Sequence, residues 1–262
     1  MYRLKLGSLL LLLAGSALAD DGLHMNMIDP LGVIRDVYYV NQNGYPVVEG
    51  DIILRSKASS TRASIIPAIG GTRWPDGKIP FVLADDLPEA TSRALNQAIA
   101  LWREKTGVEF VPIDREYADY VYIQPAEGTT CSSEVGRKGG RQVINLAPRC
   151  NVMNIAHELG HTIGLWHEQS RQDRDQYVQI VWENIQADHA SNFNQHLNDG
   201  EDHGAYNFDS LMHYSAYAFS KNGEKTIVPL QSNVSIGQRD HLSEGDIAAV
   251  REVVGTLRPH CQ

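Results

Sequence analysis

From Ala63 onward the sequence predicts an α+β domain. Three observations carry that expectation. Short runs rich in β-branched and aromatic residues recur between residues 79 and 146. One segment in the same region, Ala94 to Trp102, repeats apolar residues at helical spacing. Regular signals then thin out after Gly164 until a last helical pattern near the C-terminal end. The chain has 262 residues, 42% of them apolar and 21% charged, which suits an ordinary packed core and excludes a disordered chain. The 23 Lys and Arg against 32 Asp and Glu give a net charge of −9. That balance argues against a nucleic-acid binder, which needs basic surface to replace the counterions on phosphate.

The elements follow in order. Arg3 and Lys5 precede an unbroken apolar run, Leu9 to Ala14, and Ala17-Leu18-Ala19 forms a small-x-small cleavage signature. Residues 1–19 therefore read as a secretory signal peptide, too short in its apolar part for the ~20 residues that span a bilayer. No later stretch is apolar enough for a span, so export without stable membrane insertion is expected, to a periplasmic or extracellular site. Between Tyr38 and Leu54, strand-like residues are broken by Asn43-Gly44 and Tyr45-Pro46. The small, polar and basic run from Arg55 to Arg62 is an exposed, protease-sensitive type of segment. It places a domain boundary at Arg62. Ile79 to Leu83 reads as a strand. Asp86 is expected to cap a helix with Pro88 in its first turn. Ala94, Leu95, Ala98, Leu101 and Trp102 give that helix an apolar face, and Gly107 ends it. Val108 to Pro112, Tyr120 to Gln124 and Gln142 to Leu146 read as strands. A second helix covers about Asn151 to Ile163, and a third Ser243 to Val254, with Ser243 as cap and Asp246 three residues on.

The decisive segment runs from His157 to Glu168, HELGHTIGLWHE. Helical residues four apart lie about 40° apart around the axis and one turn along it, so His157 and His161 can aim two imidazoles at one ion. Glu158 follows the first ligand, where it can reach a water on the metal without ligating, the general-base position of a zinc peptidase. Gly164 can take positive φ, end the helix and return the chain, which brings His167 in as a third ligand. With 10 His and 14 Glu, composition alone yields H-E-x-x-H in about 2% of such chains; adding Gly164 and His167 lowers this to roughly one in ten thousand.

The motif H-E-x-x-H-x-x-G-x-x-H is that of the metzincins, and Glu168 directly after it resembles the astacin family. The stretch from His167 to Asp175 is similar to the astacin continuation, and Ser210-Leu211-Met212-His213-Tyr214 resembles its Met-turn. Val135-Gly136-Arg137, Gly140 and Gln142-Val143 resemble the strand on which these enzymes lay substrate. The resemblance spans about Ile65 to Cys261. It implies two lobes around a cleft, with a small twisted sheet and helices above and an irregular lobe below. It implies a zinc endopeptidase for protein or peptide substrates, with one Zn²⁺ per subunit held by His157, His161 and His167. Glu158 is then the base. Tyr214 is an extra metal ligand that swings aside to support the oxyanion, and Met212 is an apolar floor. Astacin propeptides carry an F-x-G-D aspartate on the metal. Val48-Glu49-Gly50-Asp51 matches that pattern except for Val48, making Asp51 the expected zymogen ligand and residues 20–62 a propeptide before a catalytic domain at 63–262. In the family the new N-terminus pairs with the glutamate matching Glu168. Cys131 and Cys150 match one family disulfide. Cys261 matches a family cysteine whose usual partner is here Gly107, which leaves Cys261 free or intermolecular.

Overall fold

The computed structural model describes residues 23–28, 34–54, 73–197 and 200–255. The expected signal peptide, the expected boundary at Arg62, and Cys261 lie outside the described residues. The early part is a run of antiparallel strands: β1 (Leu23–Ile28), β2 (Ile34–Gln42), β3 (Tyr45–Val48) and β4 (Ile52–Ile53). Two tight turns join the last three. Asn43 and Gly44 have φ of 52° and 82°, and Glu49 and Gly50 have φ of 50° and 82°. Positive φ at both central residues matches the right-handed twist of a two-residue hairpin, so the expected break at Asn43-Gly44 is a hairpin turn.

The second part supplies β5 (Lys78–Leu83), α1 (Glu89–Thr106), β6 (Glu109–Pro112), β7 (Tyr120–Pro125), β8 (Ser132–Ser133) and β9 (Arg141–Leu146). One sheet orders nine strands as β1-β2-β3-β4-β8-β9-β7-β5-β6. The pairs β5–β6, β5–β7 and β7–β9 are parallel; β8 runs antiparallel to β9 and parallel to β4. Helices α1 and α2 (Val152–Ile163) pack against each other beside the sheet. Their shared core buries Leu95, Trp102, Ile123, Ile144, Ile155 and Leu159. Burying each such side chain contributes about 1.5–3 kcal/mol.

Helix α1 starts later than expected. Its N-cap position is Pro88, with no side-chain cap, so Asp86 does not cap it. A proline pushes the residue before it into extended backbone, which keeps Leu87 out of the helix. Gly107 ends α1 with φ 81° and donates to the Arg103 carbonyl. Ile99 rather than Leu101 completes the buried stripe. The segment after α2 is built from short 3₁₀ turns and one small sheet, β10 (Val178–Ile180) with β11 (Ile227–Pro229). It has its own core around Ile180, Ile185, Phe193, Tyr206, Tyr214 and Ile227. Arginine side chains satisfy carbonyls that regular structure would otherwise pair: Arg174 donates to Gln169 and Phe193, and Arg171 to His203 and Gly204. Helix α3 (Glu244–Gly255) closes the described chain. Ser243 and Asp246 cap its start reciprocally, as the sequence predicts.

Candidate metal centre

Helix α2 begins at a firm cap. Asn151 Oδ1 accepts from the amides of Met153 and Asn154 at 2.9 and 3.0 Å, and Asn154 Oδ1 accepts from the Asn151 amide at 3.1 Å. One turn apart on the inner face stand His157 and His161, their ring centroids 4.7 Å apart. Gly164 then takes φ 132°, a value closed to side chains with a Cβ, and donates to the Gly160 carbonyl at 3.1 Å. The chain turns back and delivers His167, whose ring lies 4.7 Å from that of His161.

Asp51 arrives from the β3–β4 turn. Its Oδ2 lies 3.1 Å from His157 Nε2, and its Oδ1 lies 3.6 Å from His161 Nε2 and 3.1 Å from His167 Nε2. The four donor atoms all fall within 4.8 Å of one another. Tetrahedral zinc with bonds of 2.0–2.1 Å needs donor separations of about 3.3 Å. Asp51 Oδ1, His161 Nε2 and His167 Nε2 are buried and have no hydrogen-bond partner. Buried polar atoms rarely go unpaired, and here they converge on one point, so the donor set fits a zinc ion.

Each ring is oriented through its other nitrogen, as metal-binding imidazoles require. His157 Nδ1 meets the Leu211 carbonyl at 2.9 Å and His161 Nδ1 the Leu165 carbonyl at 2.8 Å. His167 Nδ1 meets Glu49 Oε2 at 3.0 Å. Burial holds the His157 ring down to about 3, the neutral state that ligates. Burial also lowers His167, but the carboxylates of Asp51 and Glu49 outweigh it and carry that ring up to about 9. Burial likewise lowers His161, so two of the three rings are held neutral while the carboxylates charge the third.

Glu158 is buried beside the donors, and its Oε2 has no hydrogen-bond partner. Burial and then the Asp51 charge push its carboxyl well above the usual range, and Arg239 partly offsets them. Arg239 is the cation of the site, and no motif signalled it. It is held by Nη1 donating to the carbonyls of His213 and Gln238 at 3.0 and 2.8 Å. Tyr214 donates its hydroxyl to the Glu49 carbonyl, and its ring centroid lies 4.6 Å from that of His167. Its amide donates to Gln169 Oε1 at 2.9 Å. Met212 is buried beneath α2, so close that a Cβ on Gly160 would stand 2.9 Å from its sulfur. Asp246 of α3 pins this turn, accepting from Ser210 Oγ at 2.6 Å and from the Leu211 amide at 2.8 Å.

Glu168 accepts from the Asn207 amide at 2.7 Å and faces a cavity of about 720 Å³ that Arg73, Gly164, Trp166 and Arg171 also line. Burial lifts its carboxyl to about 7, although Asn207 and Arg171 pull it back. Cys131 and Cys150 form the expected disulfide. The sequence reasoning named Asp51, but it passed over Glu49 and His196. The adjacency of a second acid to Gly50-Asp51 was the signal available for Glu49.

The model of the astacin family of peptidases matches residues 69–254. The chain belongs to the astacin family. Among curated astacin relatives, zinc metalloproteinase nas-13 of Caenorhabditis elegans is 40% identical over 178 residues, 67% of this chain and 39% of that protein. Astacin-like metalloendopeptidase of Mus musculus is 39% identical over 213 residues, 78% of this chain and 47% of that protein. The chain thus spans about half the length of these curated relatives or less. A solved structure, high choriolytic enzyme 1 from the medaka Oryzias latipes, described as a hatching enzyme zinc-protease, superposes with a TM-score of 0.64 at 35% identity. The match covers 72% of this chain and 96% of that one, and it establishes the astacin fold around the donor set described above.

Proposed function

We propose that this chain is a secreted zinc endopeptidase made as an inactive precursor, with residues 1–19 as signal peptide, 20–62 as propeptide and 63–262 as catalytic domain. The observation that carries it is the convergence of His157, His161, His167 and Asp51, with Glu158 beside them. Zinc held by His157, His161 and His167 would supply Lewis acidity toward a water and the scissile carbonyl. Glu158 accepts the proton of the attacking water on its carboxylate and hands it to the departing amide nitrogen. Burial beside the donor set fits a carboxyl that must both take and give a proton. The Tyr214 hydroxyl donates to the oxyanion that develops on the carbonyl. That hydroxyl is taken by the Glu49 carbonyl, and Asp51 fills the position that substrate needs, so the hairpin is a plug. Its departure would free the Tyr214 hydroxyl, which would then join the residues that hold the ion.

Maturation then has a receiving site. Cutting after Arg62 creates an α-amine, and the cavity beside Glu168 offers a half-buried carboxylate, 3.7 Å from Arg171 Nε, as its partner. Among the described residues no helix is long and apolar enough to cross a membrane. The likeness to the medaka hatching enzyme, a zinc-protease, supports protein substrates. Cys261, with Gly107 at the matching partner position, is left as a free thiol or a contact between chains. The test is Glu158→Gln in the cleaved enzyme: zinc content stays at one per chain and kcat on a peptide pool falls 10²–10⁴-fold. Parental cleavage by zinc-loaded Glu158→Gln would overturn the mechanism.

A further inference from the structure

Two of the three histidines find their Nδ1 acceptors in the catalytic part, at the carbonyls of Leu211 and Leu165. The third finds it in Glu49, on the hairpin that carries Asp51. Glu49 is held on every side. Its amide donates to Asn192 Oδ1 at 3.2 Å, its carbonyl accepts from Tyr214, and its Oε1 meets His196 Nε2 at 3.0 Å. His196 in turn stacks on Trp166 with centroids 4.0 Å apart. The residue also sits at φ 50°, a left-handed conformation that costs a non-glycine residue energy. Such convergence of contacts on a strained, largely covered carboxylate exceeds what a plain turn requires.

We propose that Glu49 is a positioning residue for His167 and that the β3–β4 hairpin is a clamp for the metal as well as a plug, so that the precursor retains zinc more tightly than the matured enzyme. The charge count agrees. Three neutral imidazoles leave a divalent cation uncompensated, whereas Asp51 at the donor ring and Glu49 behind His167 bring two negative charges to it. A carboxylate on Nδ1–H also makes Nε2 a stronger donor to the metal. Removing such a partner from a metal-binding histidine costs 10–100-fold in metal affinity. The inference rests on the reading of residues 20–62 as a propeptide.

The experiment uses the full chain carrying Glu158→Gln to prevent self-cleavage. Zinc affinity is measured by competition with a chromophoric chelator, and the d–d bands are recorded after cobalt substitution. Glu49→Ala should weaken zinc 10–100-fold and shift the cobalt bands, since the environment of one ligand has changed. Glu49→Gln, which keeps an acceptor without the charge, should fall between it and the parent, and it carries the test if Glu49→Ala does not fold. His196→Ala should retain affinity nearer the parent, because the Glu49 contact to His167 survives. The cleaved enzyme should release zinc faster than the full chain. Parental affinity and unshifted cobalt bands in the Glu49 variants would overturn the proposal, as would equal retention before and after cleavage. Asp51→Asn separates the two readings. If it weakens zinc while the Glu49 variants do not, the plug stands and the clamp falls; if neither does, both fall.

Discussion

Asp51 reaches His157 across 106 residues of sequence and His196 meets Glu49 across 147. Contacts of that range are invisible to periodicity, and they explain what was and was not legible at the scale of single residues. The three histidines and Glu158 share one short segment, and helical spacing plus one glycine suffices to bring them together. Asp51 was reachable only through its likeness to a known pattern. Glu49 occupied the open position of that pattern, and Arg239 stood outside any motif. The plug makes a direct prediction at this scale. Asp51→Ala removes the carboxylate that occupies the donor ring while leaving three histidines. With zinc in excess, the uncut Asp51→Ala chain should cleave a fluorogenic peptide at least tenfold faster than the uncut parent, which is checked on protein verified intact by mass spectrometry. A silent variant would place the block elsewhere in the hairpin.

Length alone did not decide which elements were legible: six-residue β1 went unread and nine-residue β2 was read only from Tyr38, whereas four-residue β6 was read. Helices α1, α2 and α3 and strands β5, β7 and β9 each span six or more residues and were read within a few positions. Strand β8 has two residues and β10 and β11 three each, too few for an alternating pattern to register. The start of α1 failed for a local reason, the extended backbone that Pro88 imposes on Leu87. Helix α2 offers the sharpest test, because Asn151 serves two amides of its first turn at once. Asn151→Ala should lower stability by about 1 kcal/mol. Urea unfolding of the metal-free protein checks it, with a shifted midpoint and an unchanged slope expected. No shift would mean that packing against α1 alone fixes the helix start.

At the scale of the molecule, two cores with different construction face one donor set: a helix-and-sheet core above and an irregular, arginine-tied core below. The upper one carries a covalent link. The Cys131–Cys150 disulfide closes a loop of 19 residues that contains β8 and β9. By loop-closure entropy it should contribute about 3 kcal/mol, so Cys131→Ser with Cys150→Ser should lose roughly that amount in denaturant unfolding. A loss near zero would mean that the sheet alone fixes the loop.

The strand order has a consequence for handling as well as for catalysis. Strands β1 to β4 lie at one end of the sheet, and β8 is the strand they cover. Lifting them away bares the backbone of β8, whose Ser133 amide donates to the Asp51 carbonyl at 2.9 Å while the hairpin is in place. A bare strand edge is a template for adding any extended chain, whether a peptide to be cut or another copy. If residues 20–62 leave the chain as proposed, the uncut form is the one suited to storage at high concentration, and the loss of its first strands trades colloidal safety for appetite.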